Sequence, residues 1–329
     1  MAQRNQDVVL GVDLGGTSFL VAAVDGRGKL LAQASKKTKA ERGFEAVVAR
    51  VAKVARELVK EEHIAPRALC VGVPGALDPS HGVVVKAPNL RWENAPLAKA
   101  LEKELKLPVS IDNDVNVAVI GEHQFGAARG LQNVVGLWIG TGIGGGVLVG
   151  GQLYRGSHGT AGELGHTVLL ADGPLCPCGG RGCVEALASR TSIERDVRAA
   201  LKRGRKSVLQ KSLSEEGSKL TSSAIEEALD AEDSLMLEAL ERACHYLGLL
   251  AASVANAFDP EMIVIGGGLA SRLGDRFLAP IRRAAQSQLL PRRGHVRIVA
   301  TELGDRAGAM GAAALASAMP RRRERVSER

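Results

Sequence analysis

A short β-branched strand that runs into a glycine turn and straight out into another strand occurs twice in this 329-residue chain, and no other feature restricts its fold as much. Residues 8–12 form the first apolar run, Asp13-Leu-Gly-Gly-Thr17 ends it, and residues 19–25 and 30–34 continue as strands on either side of a Gly26-Arg-Gly28 turn. In the second copy residues 134–139 end in Gly140-Thr-Gly-Ile-Gly-Gly-Gly146, the next strand begins at 147–149, and Gly150-Gly151 reads as a hairpin turn. A strand–turn–strand start is a meander, not the strand–helix start of a dinucleotide fold. Helices and further strands follow each copy. Helices are expected at 44–62, 96–105 and 115–125 after the first, with strands at 68–73 and 109–111. After the second come helices at 190–202, 235–258, 277–289 and 307–319, and strands at 262–265 and 297–300. The pattern reads as an α/β chain of two related halves, breaking near residues 112–133, with a ligand cleft expected between them. Residues 1–113 with the closing helix 307–319 make the smaller domain and 114–306 the larger, and ~150 residues per domain agrees with this length.

Composition removes several alternatives. The chain is 45% hydrophobic and 24% charged, so it can build cores without disulfides or a metal. Only 3% is aromatic, too little for base-stacking platforms. Of the net charge of +7, the last ten residues, with five Arg and two Glu, hold +3, which reads as a solvated, frayed tail at 320–329. No stretch reaches the ~18 apolar residues of a membrane span, and residues 1–7 are too polar for a signal peptide. Five cysteines, three of them within eight residues, do not suit a secreted disulfide framework, so a cytoplasmic protein is expected, with no nucleic-acid or membrane partner.

Three glycine clusters carry the first chemical signal. At Asp13-Leu-Gly15-Gly16-Thr17 the missing Cβ atoms let backbone N–H groups approach phosphate oxygens, Thr17 adds a hydroxyl and Asp13 can hold the water shell of a Mg2+. Thr141 and Gly142 repeat the feature, and Gly266-Gly267-Gly268 leads towards a helix. Any one of them alone reads as a tight turn. Repeated across two halves they favour a nucleotide site, although none is a P-loop and none sets GxGxxG on a strand–helix turn.

The cysteines carry the second. His166, Cys176, Cys178 and Cys183 present one imidazole and three thiolates at the spacing of a tetrahedral structural Zn2+ site with no open position. No Cys-x-x-Cys redox pair is present, and Cys70 and Cys244 sit in apolar runs as core residues. Arg181 is the only basic residue between Cys176 and Cys183, which ranks an RNA-binding zinc knuckle last.

Asp112-Asn113-Asp114 follows a strand and opens a helix. As a cap it needs no further explanation. As chemistry, an Asp there suits the base that takes a hydroxyl proton in phosphoryl transfer. A knuckle would also hold His166 and Glu185 rigid, as a sugar-hydroxyl site requires.

With these residues in place the chain resembles the ROK family of sugar kinases, and within it the glucokinases. The likeness runs from Asp13-Leu-Gly-Gly-Thr17 to Gly308-Ala-Met-Gly-Ala312. It implies two ribonuclease-H-like domains of the actin-like ATPase superfamily that close over ATP and a hexose. Asp114 is implied as the base that activates the sugar 6-hydroxyl, and Asn89, Asn113, Glu163, His166 and Glu185 as the hydroxyl-binding set. Gly72-Val-Pro-Gly75 would shape the sugar pocket. Asp13, Gly15, Gly16, Thr17, Thr141 and Gly142 would serve the phosphates, and Gly267 and Gly268 the adenosine. The resemblance further implies Mg2+, a structural Zn2+ on His166, Cys176, Cys178 and Cys183, and a homodimer or homotetramer. Ser18 stands where many members carry Lys, which weakens a cationic phosphate contact there. With the first strand at about residue 8, the DNA-binding domain of the family's repressors is expected to be missing. The sequence leaves open the preferred hexose (glucose, mannose, fructose or an N-acetylated hexosamine), polyphosphate as donor, and a non-enzymatic sugar sensor.

Overall fold

The structure is a computed structural model and describes residues 7–214, 217–290 and 296–321. These fall into two compact units, one running to Phe125 and resuming at Arg306, the other spanning Gly126–Asp305. Each has its own apolar core.

The first unit begins with β1 (Val9–Leu14), β2 (Ser18–Val24) and β3 (Leu30–Lys37). Helix α1 (Phe44–Glu61) buries Val47, Val51, Val54, Ala55 and Leu58, the apolar stripe read from its 3.6-residue spacing. Next come β4 (Leu69–Val73), a small antiparallel sheet of β5 (Ala76–Asp78), β6 (Val83–Ala87) and β7 (Trp92–Ala95), α2 (Leu97–Leu105), β8 (Val109–Asn113) and α3 (Asp114–Phe125). The main sheet has the order β3-β2-β1-β4-β8, antiparallel on the β3 side and parallel from β1 to β8. The small sheet is absent from the sequence reading, because strands of three to five residues without alternation carry no periodic signal.

The second unit repeats this plan. Strands β9 (Val134–Ile139), β10 (Ile143–Val149) and β11 (Gln152–Leu153) form the meander, and Gly150 and Gly151 take the positive φ angles, 59° and 75°, that the expected hairpin turn needs. Helices α4 (Val184–Ala188), α5 (Arg190–Lys202), α6 (Gln210–Ser214), α7 (Ser222–Asp230) and α8 (Ser234–Phe258) follow, then β12 (Met262–Gly266), α9 (Gly268–Leu273), α10 (Asp275–Gln286) and β13 (Arg297–Ala300). The sheet order β11-β10-β9-β12-β13, with the same senses, matches the first sheet strand for strand. The doubled sequence pattern is therefore a doubled α/β topology. Strand β10 starts at Ile143 and not at 147, because Gly144, Gly145 and Gly146 pair with Trp138, Leu137 and Gly136. Cross-strand pairing here outweighs the weak strand preference of glycine.

The C-terminal helix, Ala307–Ala318, returns to the first unit and packs on α3, β1 and β4. A Cβ on Gly311 would fall inside the carbonyl oxygen of Val117, and one on Gly11 inside that of Ala309. Glycine at these crossings lets helix backbones touch each other and the sheet. This packing assigns α3 to the first unit, so the division falls after Phe125, where the sequence put it at 113–114. The Arg67 guanidinium donates to the last carbonyls of this helix, at Ser317 and, at 3.0 Å, at Met319. The expected frayed tail lies outside the described residues from 322 on; before it, Arg321 pairs with Asp7. Among the described residues no helix is long and apolar enough to cross a membrane.

Candidate active site

In both units the glycine turns follow the C-terminal ends of parallel strands, the edge where open α/β sheets bind ligands. In the first unit Asp13, Gly72 and Asp112 lie in one row across β1, β4 and β8. Asp112 is 2% exposed and turned inward, accepting from the backbone of Asn113 at 2.8 Å and from Asn116 Nδ2 at 3.2 Å. Asn113 Oδ1 caps α3, accepting from Val115 and Asn116 N–H at 2.9 and 3.1 Å. That oxygen belongs to the helix, so Asn113 has only its amide N–H2 to offer a sugar. Asp114 is half-buried in the first turn of α3, where the positive end of the helix favours the carboxylate. Its Cα lies beside Gly72, where an added Cβ would approach it to 3.5 Å, so the Gly72-Val-Pro-Gly75 loop and Asp114 share one place.

The first glycine turn is held by a residue the sequence reading missed. Thr38, fully buried, donates from Oγ1 to Gly15 O at 2.6 Å, and its N–H donates to Thr17 O at 2.9 Å. Gly16 packs on Asn89, whose carbonyl oxygen and Cβ an added Cβ would meet at 2.8 and 3.1 Å. Asn89 is exposed in a single turn, Pro88–Leu90, so the phosphate and sugar candidates of this unit adjoin. The Asp13 carboxylate lies against Gly308 at the start of the C-terminal helix. Thr17 is exposed on its hairpin.

The second unit assembles the cysteine cluster. The ligand atoms of His166, Cys176, Cys178 and Cys183 all lie within 4.8 Å of one another. Cys178 and Cys183 Sγ are 3.7 Å apart, and Cys176 Sγ and His166 Nδ1 are 3.6 Å apart. A tetrahedron with bonds of ~2.3 Å has edges of about 3.8 Å, so the spacing fits one Zn2+. Burial pushes the Cys176 thiol up to about 12 and the Cys183 thiol upward, while the Gly180 N–H pulls Cys178 down. Three sulfurs this close become thiolates together only around a cation. His166 turns Nε2 towards Glu163, at 3.9 Å. The 162–166 segment is seated by glycines: a Cβ on Gly145 would enter Gly162 and Leu164, and one on Gly165 would enter the carbonyl of Ile143. The glycine run of β10 thus serves as a floor for Glu163 and His166.

Glu185 links the cluster to the second glycine turn. Oε2 accepts from Ile143 N–H at 2.9 Å and Oε1 is 3.9 Å from Cys176 Sγ. Thr141 and Gly142 form that turn, and Gly267, at φ 89°, packs on the carbonyl of Ile139 just before it. Gly268 opens α9 beside Ser222. Two residues without a sequence signal, Arg190 and Thr191, also bind Thr141. Cys70 and Cys244 are buried as expected, and burial raises Cys244 to about 12.

Residues 9–319 match the ROK family. The chain is 38% identical over 309 residues to a glucokinase of Thermotoga maritima, covering 93% of this chain and 96% of that one. It is 30% identical to a xylose repressor of Caldicellulosiruptor bescii, covering 96% of this chain and 80% of that one. The structure of a ROK family glucokinase from Streptomyces griseus in complex with glucose and AMPPNP superimposes with a TM-score of 0.82, at 32% identity, over 94% of this chain and 99% of that one. With the cysteine cluster, the paired glycine turns and the doubled sheet all in place along its length, this chain belongs to the ROK family and has its α/β, actin-like ATPase fold.

Proposed function

We propose that this chain phosphorylates a hexose at its 6-hydroxyl with ATP as donor, and that glucose is its sugar. The likeness to glucokinases over nearly the whole chain, with Asp114 kept at the head of α3, carries this reading. Asp114 takes the proton of the 6-hydroxyl as the sugar oxygen bonds to the γ-phosphorus. The bond from that phosphorus to the β-γ bridging oxygen breaks, and ADP leaves with the electron pair. Asn89, the amide of Asn113, Glu163, His166 and Glu185 hold the other hydroxyls. A hydroxyl of the wrong configuration leaves one of these groups unpaired at a cost of roughly 1–3 kcal/mol. Gly15, Gly16 and Thr17 with Thr141 and Gly142 serve the phosphates, and Gly267 and Gly268 the adenosine.

His166, Cys176, Cys178 and Cys183 would hold Zn2+, whose contribution is structural, since four protein ligands leave no open position. Asp13, half-buried at the first turn, would hold a Mg2+ water shell, and that ion neutralises phosphate charge when bound. A thiol cluster suited to a metal and the use of ATP support a cytoplasmic enzyme, and the family likeness leads us to expect a dimer or tetramer, readable by light scattering.

A steady-state assay that reads the hexose 6-phosphate formed from six hexoses, each against ATP and polyphosphate, tests the reading. It expects glucose with ATP to give the highest kcat/KM, and the absence of turnover with every hexose would overturn it. The likeness to a xylose repressor supports a second reading, a sugar-sensing regulator. That reading expects calorimetric sugar binding without ADP release.

A further inference from the structure

Arg190 has no part in the chemistry above, yet it is built into the second glycine turn. It opens α5 directly after the Ser189 cap. Its Nη2 donates to Thr141 Oγ1 at 2.8 Å and its Nη1 to the Leu220 carbonyl at 3.2 Å. Its backbone N–H donates to Gly140 O at 3.0 Å, and the adjacent Thr191 hydroxyl donates to Thr141 O at 2.7 Å. A guanidinium only donates. Thr141 Oγ1 therefore accepts from Arg190, and its own hydrogen is left to point elsewhere. The carbonyls of Gly140 and Thr141 are both drawn to the start of α5. Among the described residues, the N–H groups of Thr141 and Gly142 have no acceptor within the chain. One turn so presents two N–H donors and one oriented O–H donor, backed by a cation, which is the donor set of an anion site.

We propose that Arg190 is a positioning residue for the nucleotide: it fixes the Thr141 hydroxyl as a donor to a phosphate oxygen of the triphosphate. Leu220 O, held by the second arm of the fork, keeps the guanidinium from swinging away. Arg190 acts through Thr141, so the two side chains form one unit and their removal is not additive. The proposal rests on the kinase reading and concerns ATP, not the sugar.

The test is steady-state kinetics of the full chain, wild type against Arg190→Ala, Thr141→Val, Thr141→Ser and the Arg190→Ala/Thr141→Val double variant. ATP is varied at saturating glucose, then glucose at saturating ATP. Losing a hydrogen bond to a charged partner corresponds to roughly a tenfold rise in KM for ATP in Arg190→Ala and in Thr141→Val. KM for glucose stays within about twofold, Thr141→Ser, which restores the hydroxyl, recovers most of the ATP affinity that Thr141→Val loses, and Arg190→Ala adds less than about threefold in the Thr141→Val background. A KM for ATP within about twofold of wild type, a parallel rise in KM for glucose, or full additivity in the double variant overturns the assignment. Should Arg190→Ala not fold, Arg190→Lys, which keeps the charge and loses the fork, is read by the same criteria. A wild type that turns over no hexose defeats the kinase reading instead. Calorimetric titration with MgATP then decides the role of Arg190 by itself: weaker binding to Arg190→Ala supports it and equal binding ends it.

Discussion

At the residue scale the candidate base is defined by its neighbours in sequence. Asp112 and the Oδ1 of Asn113 serve the strand end and the helix cap, and Asp114, whose Oδ1 accepts from the Val115 N–H at 3.0 Å, stands half-buried beside them as the proposed base. Asp114→Ala should lower kcat by about 10²–10⁴-fold, the usual range for loss of a general base. Calorimetric glucose affinity should change little, because the remaining hydroxyl partners lie elsewhere. Near-normal turnover would remove Asp114 from the role. Glu185 is a more constrained residue than the sequence reading supposed. One of its oxygens holds the Ile143 N–H and the other faces Cys176. This one carboxylate joins the cysteine cluster to the turn read as a phosphate site.

At the element scale, two helices brace the units that carry the candidate residues. Helix α8, the longest in the chain, is capped by Asp233, whose carboxylate accepts from Met236 and Val208 N–H at 2.9 and 2.8 Å. Burial alone would raise the Asp233 pKa, but these N–H groups outweigh it and hold the carboxyl below its ordinary value. A depressed pKa stabilises the fold above the unfolded value and loses that contribution as the pH falls through the folded one. Asp233→Ala should therefore cost about 1–2 kcal/mol at pH 7 in urea unfolding. The gap to wild type should close as the pH drops below the unperturbed value of 3.8. A gap independent of pH would contradict the cap. The C-terminal helix depends on backbone contact with α3, and Gly311→Ala would drive a methyl group into the Val117 carbonyl. A loss at or above the top of the ~1–3 kcal/mol range for overpacking is expected, with a lower Tm. Since α3 begins at Asp114, kcat should fall as well; a variant with wild-type Tm and kcat would show that the two helices are not so closely seated.

At the scale of the molecule, the cysteine hairpin stands apart from both large cores, with Cys176, Cys183 and Ala186 forming a small cluster of their own. Apolar burial contributes little there, so a Zn2+ held by these ligands would be the main source of local stability. Elemental analysis should find one zinc per chain, and chelation should lower the Tm and open the 166–183 segment to proteases. A chain without zinc, or a melt indifferent to chelator, would contradict this. The prediction belongs to the whole molecule because residues 162–166 rest on β10, in the central sheet of the second unit, and Glu185 ties the cluster to the turn before it.

Local sequence determined a good deal of this protein. The two meanders, the helical stripe of α1, the glycine turns and the Cys-x-Cys-x4-Cys cluster with its upstream His are short-range patterns, each dictated by the stereochemistry of the few residues that make it. Tertiary structure decided what those patterns could not express. Glycines 144–146 became strand because β9 lay ready to pair with them, and α3 joined the first unit because glycines let its backbone meet a helix nearly two hundred residues later in the chain. Thr38 and Arg190 acquired their roles only on meeting Gly15 and Thr141, 23 and 49 positions away. A hydrogen bond at such separation leaves no trace in the periodicity of either segment, since its geometry exists only once the chain has folded.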